Sequence, residues 1–168
     1  MKTKNLKKSA GFTLIEILVV IGIIAILAAI VIIAINPAKQ FAQARNTQRQ
    51  AGVNAILNAV GQRIADNKGI FAGSFTVGGN MYTCGVLPTA ASSTVATDEA
   101  PLVTTVSGQL GCLVPTYISS LPIDPSGPVS PSTGYEIKAD ATGRVMICAP
   151  QASTETSIPG TPPICVTR

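Results

Sequence analysis

One uninterrupted apolar run near the N-terminus limits what this chain of 168 residues can fold into. Ile17–Ile35 comprises 19 residues, of which only Gly22 lies outside the apolar set and none is charged. As a helix rising about 1.5 Å per residue, the run would be about 28 Å long, close to a bilayer core of about 30 Å. A core helix of a soluble domain would keep a polar face, and this run has none. The run therefore predicts one membrane-spanning helix.

The charge distribution predicts how this helix is oriented. Four of the twelve basic residues lie in the first eight positions, at Lys2, Lys4, Lys7 and Lys8. By the positive-inside rule they keep the N-terminus in the cytoplasm and send the rest of the chain across. From Phe12 onward eight basic residues balance eight acidic ones. Charge therefore does not support nucleic acid as a partner, because phosphate binding needs clustered positive charge on the folded domain.

A cleavable secretory signal is the competing interpretation of the N-terminus. The apolar region of such a signal spans about 7–15 residues and lacks an acid. This run is longer and directly follows Glu16. We therefore favour a retained span over a removed secretory signal.

Glu16 is the anomalous residue, because an ionised carboxylate in an apolar span is unfavourable unless it is paired. In one interpretation it reaches the lipid headgroups or is protonated. In the other it pairs with an α-amino group that a cut before Phe12 would create. That amine could belong to the same helix, where residues i and i+4 are neighbours, or to an adjacent helix. Pairing between helices would favour assembly side by side in the membrane.

The segment KKSAG-FTLIEILVVIGIIAIL resembles the N-terminus of type IV pilins and related pseudopilins, closely from Lys7 to about Ile35 and loosely over the next thirty residues. The resemblance implies that a membrane-embedded prepilin peptidase cuts after Gly11 and that the new N-terminal Phe12 is N-methylated. It also implies that the mature protein polymerises with its apolar helices at the filament centre. Glu16 falls on the acidic position that guides subunit addition through a neighbour's Phe12 amine.

The helical pattern continues beyond the apolar run. Asn36-Pro37 predicts a kink or local unwinding, because proline removes a helix hydrogen bond. The helix then resumes and ends at Lys68-Gly69, with Gly69 expected at the first position beyond the helix. One apolar face is formed by Val53, Ile56, Leu57, Val60 and Ile64.

Residues 70–168 predict short strands and polar loops. The clearest hairpin joins Tyr135–Lys138 to Arg144–Cys148 through a turn in which Gly143 has a positive φ. Polar loops are expected at Ala90–Ala100, Ser126–Thr133 and Ser153–Pro163. Four further strands are expected at Ser74–Val77, Met81–Leu87, Leu102–Val106 and Leu113–Ile118.

The cations of the second helical segment have two interpretations. From Ile17 to Ala65 there is no acid, whereas Lys39, Arg45, Arg49 and Arg63 are present. The favoured interpretation is a solvated helix face. The alternative places Arg45 and Arg49 inside a filament, against carbonyls or a neighbour's acids.

Four cysteines in a loop-rich region outside the membrane predict disulfides, with three connectivities open. A zinc site is disfavoured, because CxxC spacing and histidine are both missing. We favour Cys148–Cys165, since Cys148 ends the clearest strand and the pair resembles the disulfide that pins a C-terminal loop in many pilins. Cys84–Cys112 is then the second pair.

The segment Tyr117–Pro125 is similar to the "Leu-Pro-x-Asp-Pro" loop of major pseudopilins of type II secretion, where a nearby loop can hold calcium. Calcium needs six to eight oxygens, and Asp124 has no acidic neighbour close in sequence. A turn fixed by two prolines is therefore preferred over a calcium site, and no cofactor or metal is expected. Because histidine is absent and no phosphate loop, catalytic carboxylate pair or nucleophile motif is evident, we do not expect an enzyme.

The residues and the resemblance to type IV pilins together predict an α+β protein. A long N-terminal helix, whose first half is transmembrane and forms the filament core, packs on a small antiparallel sheet with a disulfide-bounded C-terminal loop. The expected parts are a cleaved leader (1–11), the apolar helix (12–35), an amphipathic helix half (36–69) and an extracytoplasmic β-rich region (70–168).

The resemblance implies a type IV pilus subunit serving adhesion, motility or DNA uptake. A secretion pseudopilin is the first alternative, and a membrane-anchored binding domain that never polymerises is the second. The implied partners are other copies of the chain, prepilin peptidase, the pilus or secretion assembly machinery, and membrane lipid before assembly. The protein would be a single-pass membrane protein first and part of an extracellular filament afterwards.

Overall fold

The computed structural model describes residues 11–96, 110–128 and 131–168. These residues divide into two units, one ending at Gln40 and the other beginning at Phe41. The described part contains two α-helices followed by six strands, and all strand pairs are antiparallel. The predicted α+β class is confirmed.

Helix α1 spans Leu14–Ile35. It is long and apolar enough to cross a membrane, with a mean hydropathy of 3.5 over its most apolar stretch. None of its residues is buried against other parts of the described chain. An apolar surface on all sides needs an apolar environment, which lipid or other apolar helices would provide.

The break predicted near the proline is confirmed and falls on a single residue, Asn36. Its φ of 48° and ψ of 78° are left-handed, a conformation that asparagine tolerates better than most residues. Helix α2 then begins at Pro37, where the missing N–H interrupts no helix bond. The carbonyl and side-chain oxygens of Asn36 both accept from the N–H of Lys39, at 3.1 and 3.3 Å. Asn36 therefore ends one helix and caps the next.

Helix α2 spans Pro37–Asp66 and buries the predicted apolar face. Of the five apolar positions, Val53, Ile56, Leu57 and Val60 are buried, and Ile64 is partly buried. At its end the N–H of Gly69 donates to the carbonyl of Ile64 at 2.8 Å. The left-handed residue next to the helix is Lys68 (φ 55°), so the expected placement of Gly69 is wrong by one position.

The strands form two sheets. The first pairs β1 (Gly73–Val77) with β2 (Asn80–Cys84). The second has the order β3-β4-β5-β6. Its strands are Ser93–Ala96, Ser132–Ala139, Val145–Ala149 and Ile164–Thr167.

Strand β4 supplies the inner face of the larger sheet. Buried and partly buried residues alternate along it, as expected of a strand with one face on the core. The predicted hairpin to β5 is confirmed, with Ile137 opposite Ile147, and Gly143 in its turn has a φ of 85°. The resulting core joins α2 to both sheets.

Two predictions about the strands are wrong, and a third lies outside the described residues. Residues 113–118 contain the end of a short 3₁₀ helix and a turn, in which the N–H of Tyr117 donates to the carbonyl of Leu113 at 2.8 Å. Pro115 has no N–H for a sheet, which explains the difference. Conversely, β3 lies inside the stretch expected to be a polar loop. The strand expected at Leu102–Val106 falls among residues that the structure does not describe.

Candidate assembly site and the buried ion cluster

The residues expected at the cleavage junction directly precede α1. Phe12 is 85% exposed. A side chain at Gly11 would meet no atom of the described chain within 4 Å. A Cβ at this position would therefore lie in open space among the described residues.

Thr13 and Glu16 form a capping box at the start of α1. The N–H and the hydroxyl of Thr13 both donate to Oε2 of Glu16, at 2.7 and 2.8 Å. In return the N–H of Glu16 donates to the Thr13 hydroxyl oxygen at 3.3 Å. These bonds satisfy donors that a helix N-terminus leaves free, which explains why an acid is favourable at this position. The sequence interpretation missed this role, although the Thr-x-x-Glu spacing is its usual signal.

The capping box uses only one carboxylate oxygen of Glu16. Within the described residues, Oε1 of Glu16 has no hydrogen-bond partner. In the uncut chain the nitrogen of Phe12 is a neutral amide, so it offers no cation to Oε1. A cut before Phe12 would convert this nitrogen into an ammonium group, which is a candidate partner for Oε1.

A second polar site lies inside the domain, around Arg49 of α2. Its guanidinium donates to both carboxylate oxygens of Asp124, from Nε at 2.8 Å and from Nη2 at 3.0 Å. The exposed fraction of the side chain is 1% for Arg49 and 0% for Asp124. A bidentate pair of this kind compensates for the loss of water around both charges.

Glu155 joins this pair to a second arginine. Its Oε1 accepts from Nη1 of Arg49 at 2.6 Å and from Nε of Arg45 at 2.8 Å. Its Oε2 accepts from Nη2 of Arg45 at 2.5 Å. Two guanidinium groups thus face two carboxylates, and the cluster is neutral. It ties α2 to the loop around Asp124 and to the segment around Glu155.

The cluster shifts the titration of its acids. Hydrogen bonds from Arg45, and then from Arg49, lower the pKa of Glu155 to about 2. Burial acts to raise the pKa of Asp124, but hydrogen bonds from Arg49 and Ser126 outweigh it, so that the pKa is lowered. Burial, and then the negative charge of Asp124, raise the pKa of Tyr135 to about 12. At neutral pH both acids are therefore ionised and Tyr135 is neutral.

The ion cluster corrects the interpretation of the cations on α2. Arg49 is buried and bound to acids of its own chain, so it belongs neither to a solvated face nor to contacts with a neighbour. Arg45 is partly exposed but is also bound within the chain. Arg63 is buried as well, with Nη2 donating to the carbonyl of Gly73 at 3.0 Å. A signal existed, because Arg49 and Arg63 share the helical spacing of the apolar face.

The loop around Asp124 uses its carboxylate within the protein. Oδ1 of Asp124 accepts from Arg49 and from both the N–H and the hydroxyl of Ser126, while Oδ2 accepts from Arg49. Among the described residues, no group of three or more His, Cys, Asp or Glu side chains could hold a metal ion. The arginine thus occupies the oxygens that a cation at Asp124 would need.

Two disulfides lie in the domain, between Cys84 and Cys112 and between Cys148 and Cys165. They are the pairs favoured from the sequence. The first lies in the core between β2 and a 3₁₀ turn. The second joins two residues that face each other on β5 and β6.

The comparisons with known proteins bear on the N-terminal segment alone. Residues 6–34 match the family model of the prokaryotic N-terminal methylation motif. Neither curated proteins nor solved structures give a significant match to the chain. The match includes the expected junction after Gly11 and the capping box of Thr13 and Glu16. In its first 34 residues the chain carries the leader signature of type IV prepilin-like proteins.

Proposed function

We propose that the chain is a structural subunit of a type IV pilus filament, made as a prepilin and polymerised through α1. The filament would serve adhesion, motility or DNA uptake. The observation that carries the proposal is the combination of the leader signature with a helix that is apolar on every side and has one carboxylate in its first turn. The leader signature supports a type IV pilin-like or pseudopilin-type protein at this coarser level.

Assembly of α1 from a bilayer needs a reason beyond its apolar surface. Lipid tails already provide an apolar environment, so that the hydrophobic effect does not by itself drive two membrane helices together. An unpaired carboxylate near the span is unfavourable in lipid, and so is an unpaired ammonium group. A pair formed by Glu16 of one subunit and the Phe12 amine of another would remove both at once.

Processing would create the cation for this pair. In the proposed sequence of events, prepilin peptidase cuts after Gly11, and Phe12 becomes the N-methylated first residue of the mature chain. Before the cut, the capping box stabilises Glu16 at the helix start while no amine is near. Cleavage would thus convert a stable membrane protein into one that can add to a filament with the help of the assembly machinery.

A pseudopilin of a type II secretion system is the second candidate. The similarity of Tyr117–Pro125 to a pseudopilin loop favours it, whereas the leader signature is common to both classes. Long filaments on cells would indicate the pilus, and loss of one secreted substrate in a deletion strain would indicate the pseudopilin. An anchored binding domain that never polymerises is disfavoured, because it gives the charge of Glu16 no cation from a second subunit.

Two substitutions at Glu16 test the assembly proposal. Glu16→Gln keeps a side chain that can cap the helix but removes the charge, whereas Glu16→Ala removes both. We expect both variants to be cleaved and both to form few filaments, since neither offers a carboxylate to the amine of Phe12. The readout is filament yield by electron microscopy and shearing, and Ile17→Ala is the control in the same helical turn.

The competing pairing within one helix predicts a different result. Loss of an i, i+4 pair changes helix stability by only about 0.2–0.5 kcal/mol, and filaments would still form. Normal filaments made from Glu16→Gln alone would therefore overturn the role of the charge between subunits. Mutant subunits that enter wild-type filaments as well as wild-type subunits do would lead to the same conclusion.

A further inference from the structure

The two disulfides differ in how far a reagent in water can reach them. Cys84 and Cys112 are 2% and 0% exposed and belong to the hydrophobic core. Cys148 is only 9% exposed, but its partner Cys165 is exposed to solvent. In the folded protein the Cys84–Cys112 bridge is therefore shielded from a reagent in water, whereas the Cys148–Cys165 bridge is exposed at Cys165.

The position of Cys165 in the sheet explains the open end. Cys165 lies on β6, which is last in the order β3-β4-β5-β6 and pairs only with β5 in that sheet. Partly buried and exposed residues alternate along β6, and Cys165 is one of the exposed residues. A thiolate could approach from this edge without opening the core.

We propose that Cys148–Cys165 is a thiol-exchange site for a dithiol reductant, whereas Cys84–Cys112 is a permanent cross-link of the core. In the first step a thiolate of the reductant attacks Sγ of Cys165, forms a mixed disulfide and expels Cys148 as a thiolate. In the second step the other thiol of the reductant attacks the mixed disulfide and releases Cys165. The protein gains two electrons and the reductant becomes a disulfide.

The ion cluster holds the segment between Cys148 and Cys165 in a similar position in the reduced and the bridged protein. The segment between the two cysteines is held in its middle, because Glu155 is bound to Arg45 and Arg49 of α2. Four residue pairs, including Cys148 with Cys165, also keep β6 in register with β5. The two thiols therefore stay close after reduction, and the bridge re-forms readily when the reductant is removed. Exchange at this site is reversible without unfolding of the domain.

Selective reduction of the folded full-length chain in detergent tests the site. The protein is treated with dithiothreitol, samples are blocked with N-ethylmaleimide, and the labelled cysteines are identified by peptide mass spectrometry. We expect Cys148 and Cys165 to be labelled at least about tenfold faster than Cys84 and Cys112, because a buried bridge reacts only after the structure opens. Equal rates, or faster labelling of Cys84 and Cys112, would overturn the proposal. So would resistance of both bridges until the protein unfolds.

Variants of the ion cluster test the re-formation step. The reduced chain is transferred to a glutathione buffer, and the fraction of bridged Cys148–Cys165 is measured at equilibrium. We expect Glu155→Gln to lower the equilibrium constant for bridge formation several-fold, because the middle of the segment is released. Asp66→Asn is the control, since Asp66 is an exposed acid at the end of α2 and has no ion pair within the described residues.

A milder variant allows for poor folding of Glu155→Gln. Arg45→Gln removes one of the two cations from Glu155 but leaves the buried pair of Arg49 and Asp124 intact. It should lower the same equilibrium constant by a smaller factor. Wild-type equilibrium constants in both cluster variants would show that the cluster does not hold the segment, and would overturn this step.

Discussion

At the scale of single residues, Arg49 and Asp124 form an ion pair in which both charges are removed from water. A buried ion pair adds little over well-packed apolar residues, but removal of one partner leaves the other charge uncompensated. The main energetic effect of the pair is therefore seen when one partner is removed and the other is left as an unpaired buried charge.

Asp124→Asn should destabilise the domain strongly. The variant leaves Arg49 buried with only Glu155 to balance two arginines, and the expected loss in the free energy of unfolding is about 3–5 kcal/mol. Denaturant unfolding measured by circular dichroism is the test. Asp66 is an exposed acid at the end of α2, the helix that carries Arg49. Asp66→Asn should change the free energy of unfolding by less than about 0.5 kcal/mol. Similar small losses in both variants would contradict the role given to the pair.

The lowered pKa values of the two acids predict how stability depends on pH. A carboxyl group whose pKa is lower in the folded state stabilises it above the unfolded pKa, and this contribution is lost as pH falls through the folded value. For Glu155 the window runs from the ordinary value of 4.5 down to about 2. The denaturant concentration at the midpoint of unfolding should therefore decrease as pH is lowered from 4.5 to about 2.

A variant separates this effect from general acid denaturation. Glu155→Gln cannot lose a proton-linked contribution at this site, so its midpoint should fall less steeply between pH 4.5 and 2 than that of the wild type. Parallel pH profiles of the two proteins would show that Glu155 does not titrate with a lowered pKa.

At the scale of elements, Gly52 of α2 lies directly against the side chain of Tyr135 on β4. A Cβ at Gly52 would collide with the Tyr135 hydroxyl and would lie 2.8 Å from Cζ of its ring. Tyr135 is 1% exposed and packed in the core, so it has little room to move. The glycine is therefore required by packing rather than by backbone conformation.

Two glycine substitutions on α2 should have opposite effects. Gly52→Ala should destabilise the domain by about 1–3 kcal/mol, because extra volume in a packed core forces its neighbours out of place. Gly61→Ala should stabilise it by up to about 1 kcal/mol, since a Cβ there meets nothing within 4 Å and alanine favours the helix. Thermal unfolding of both variants is the measurement, and destabilisation of equal size would contradict the contact.

Helices, breaks and hairpins were predictable from the sequence where a local pattern within one segment indicates the structure. The apolar run, the break before Pro37 and the hairpin around Gly143 all follow from local patterns. Strand β3 could not be predicted in this way, because its serine and threonine are typical of loops and its only fully buried side chain is Val95. The pairing of β3 with β4 decides its structure, and that contact joins distant parts of the chain.

At the scale of the whole molecule, the apolar surface and the core lie in different units. Helix α1 exposes its apolar side chains, whereas the core lies in the unit that begins at Phe41. The sequence changes from an apolar to an amphipathic pattern after the proline. It did not predict the ion cluster, because Arg49 and Asp124 are 75 positions apart and neither has a local signal for the other.

This division predicts that the domain becomes soluble without α1. A variant beginning at Phe41 and exported to an oxidising compartment should be monomeric in the absence of detergent and contain two disulfides. Size-exclusion chromatography and thiol counting are the measurements, with the full-length chain in detergent as the control. Aggregation of the shortened chain, despite formed disulfides, would show that α1 covers apolar surface of the domain.

The mass of the mature N-terminus, measured on protein isolated from membranes or filaments, is the sharpest test of processing and assembly through α1. We expect a chain that begins at Phe12 with one methyl group on its amine and retains α1. In a strain lacking the peptidase, or in a variant with a bulky residue at Gly11, the uncut chain should accumulate in the membrane. Mature protein that still begins at Met1 would contradict the proposed assembly through α1, and so would a chain cut after α1, because neither presents the amine of Phe12 to Glu16.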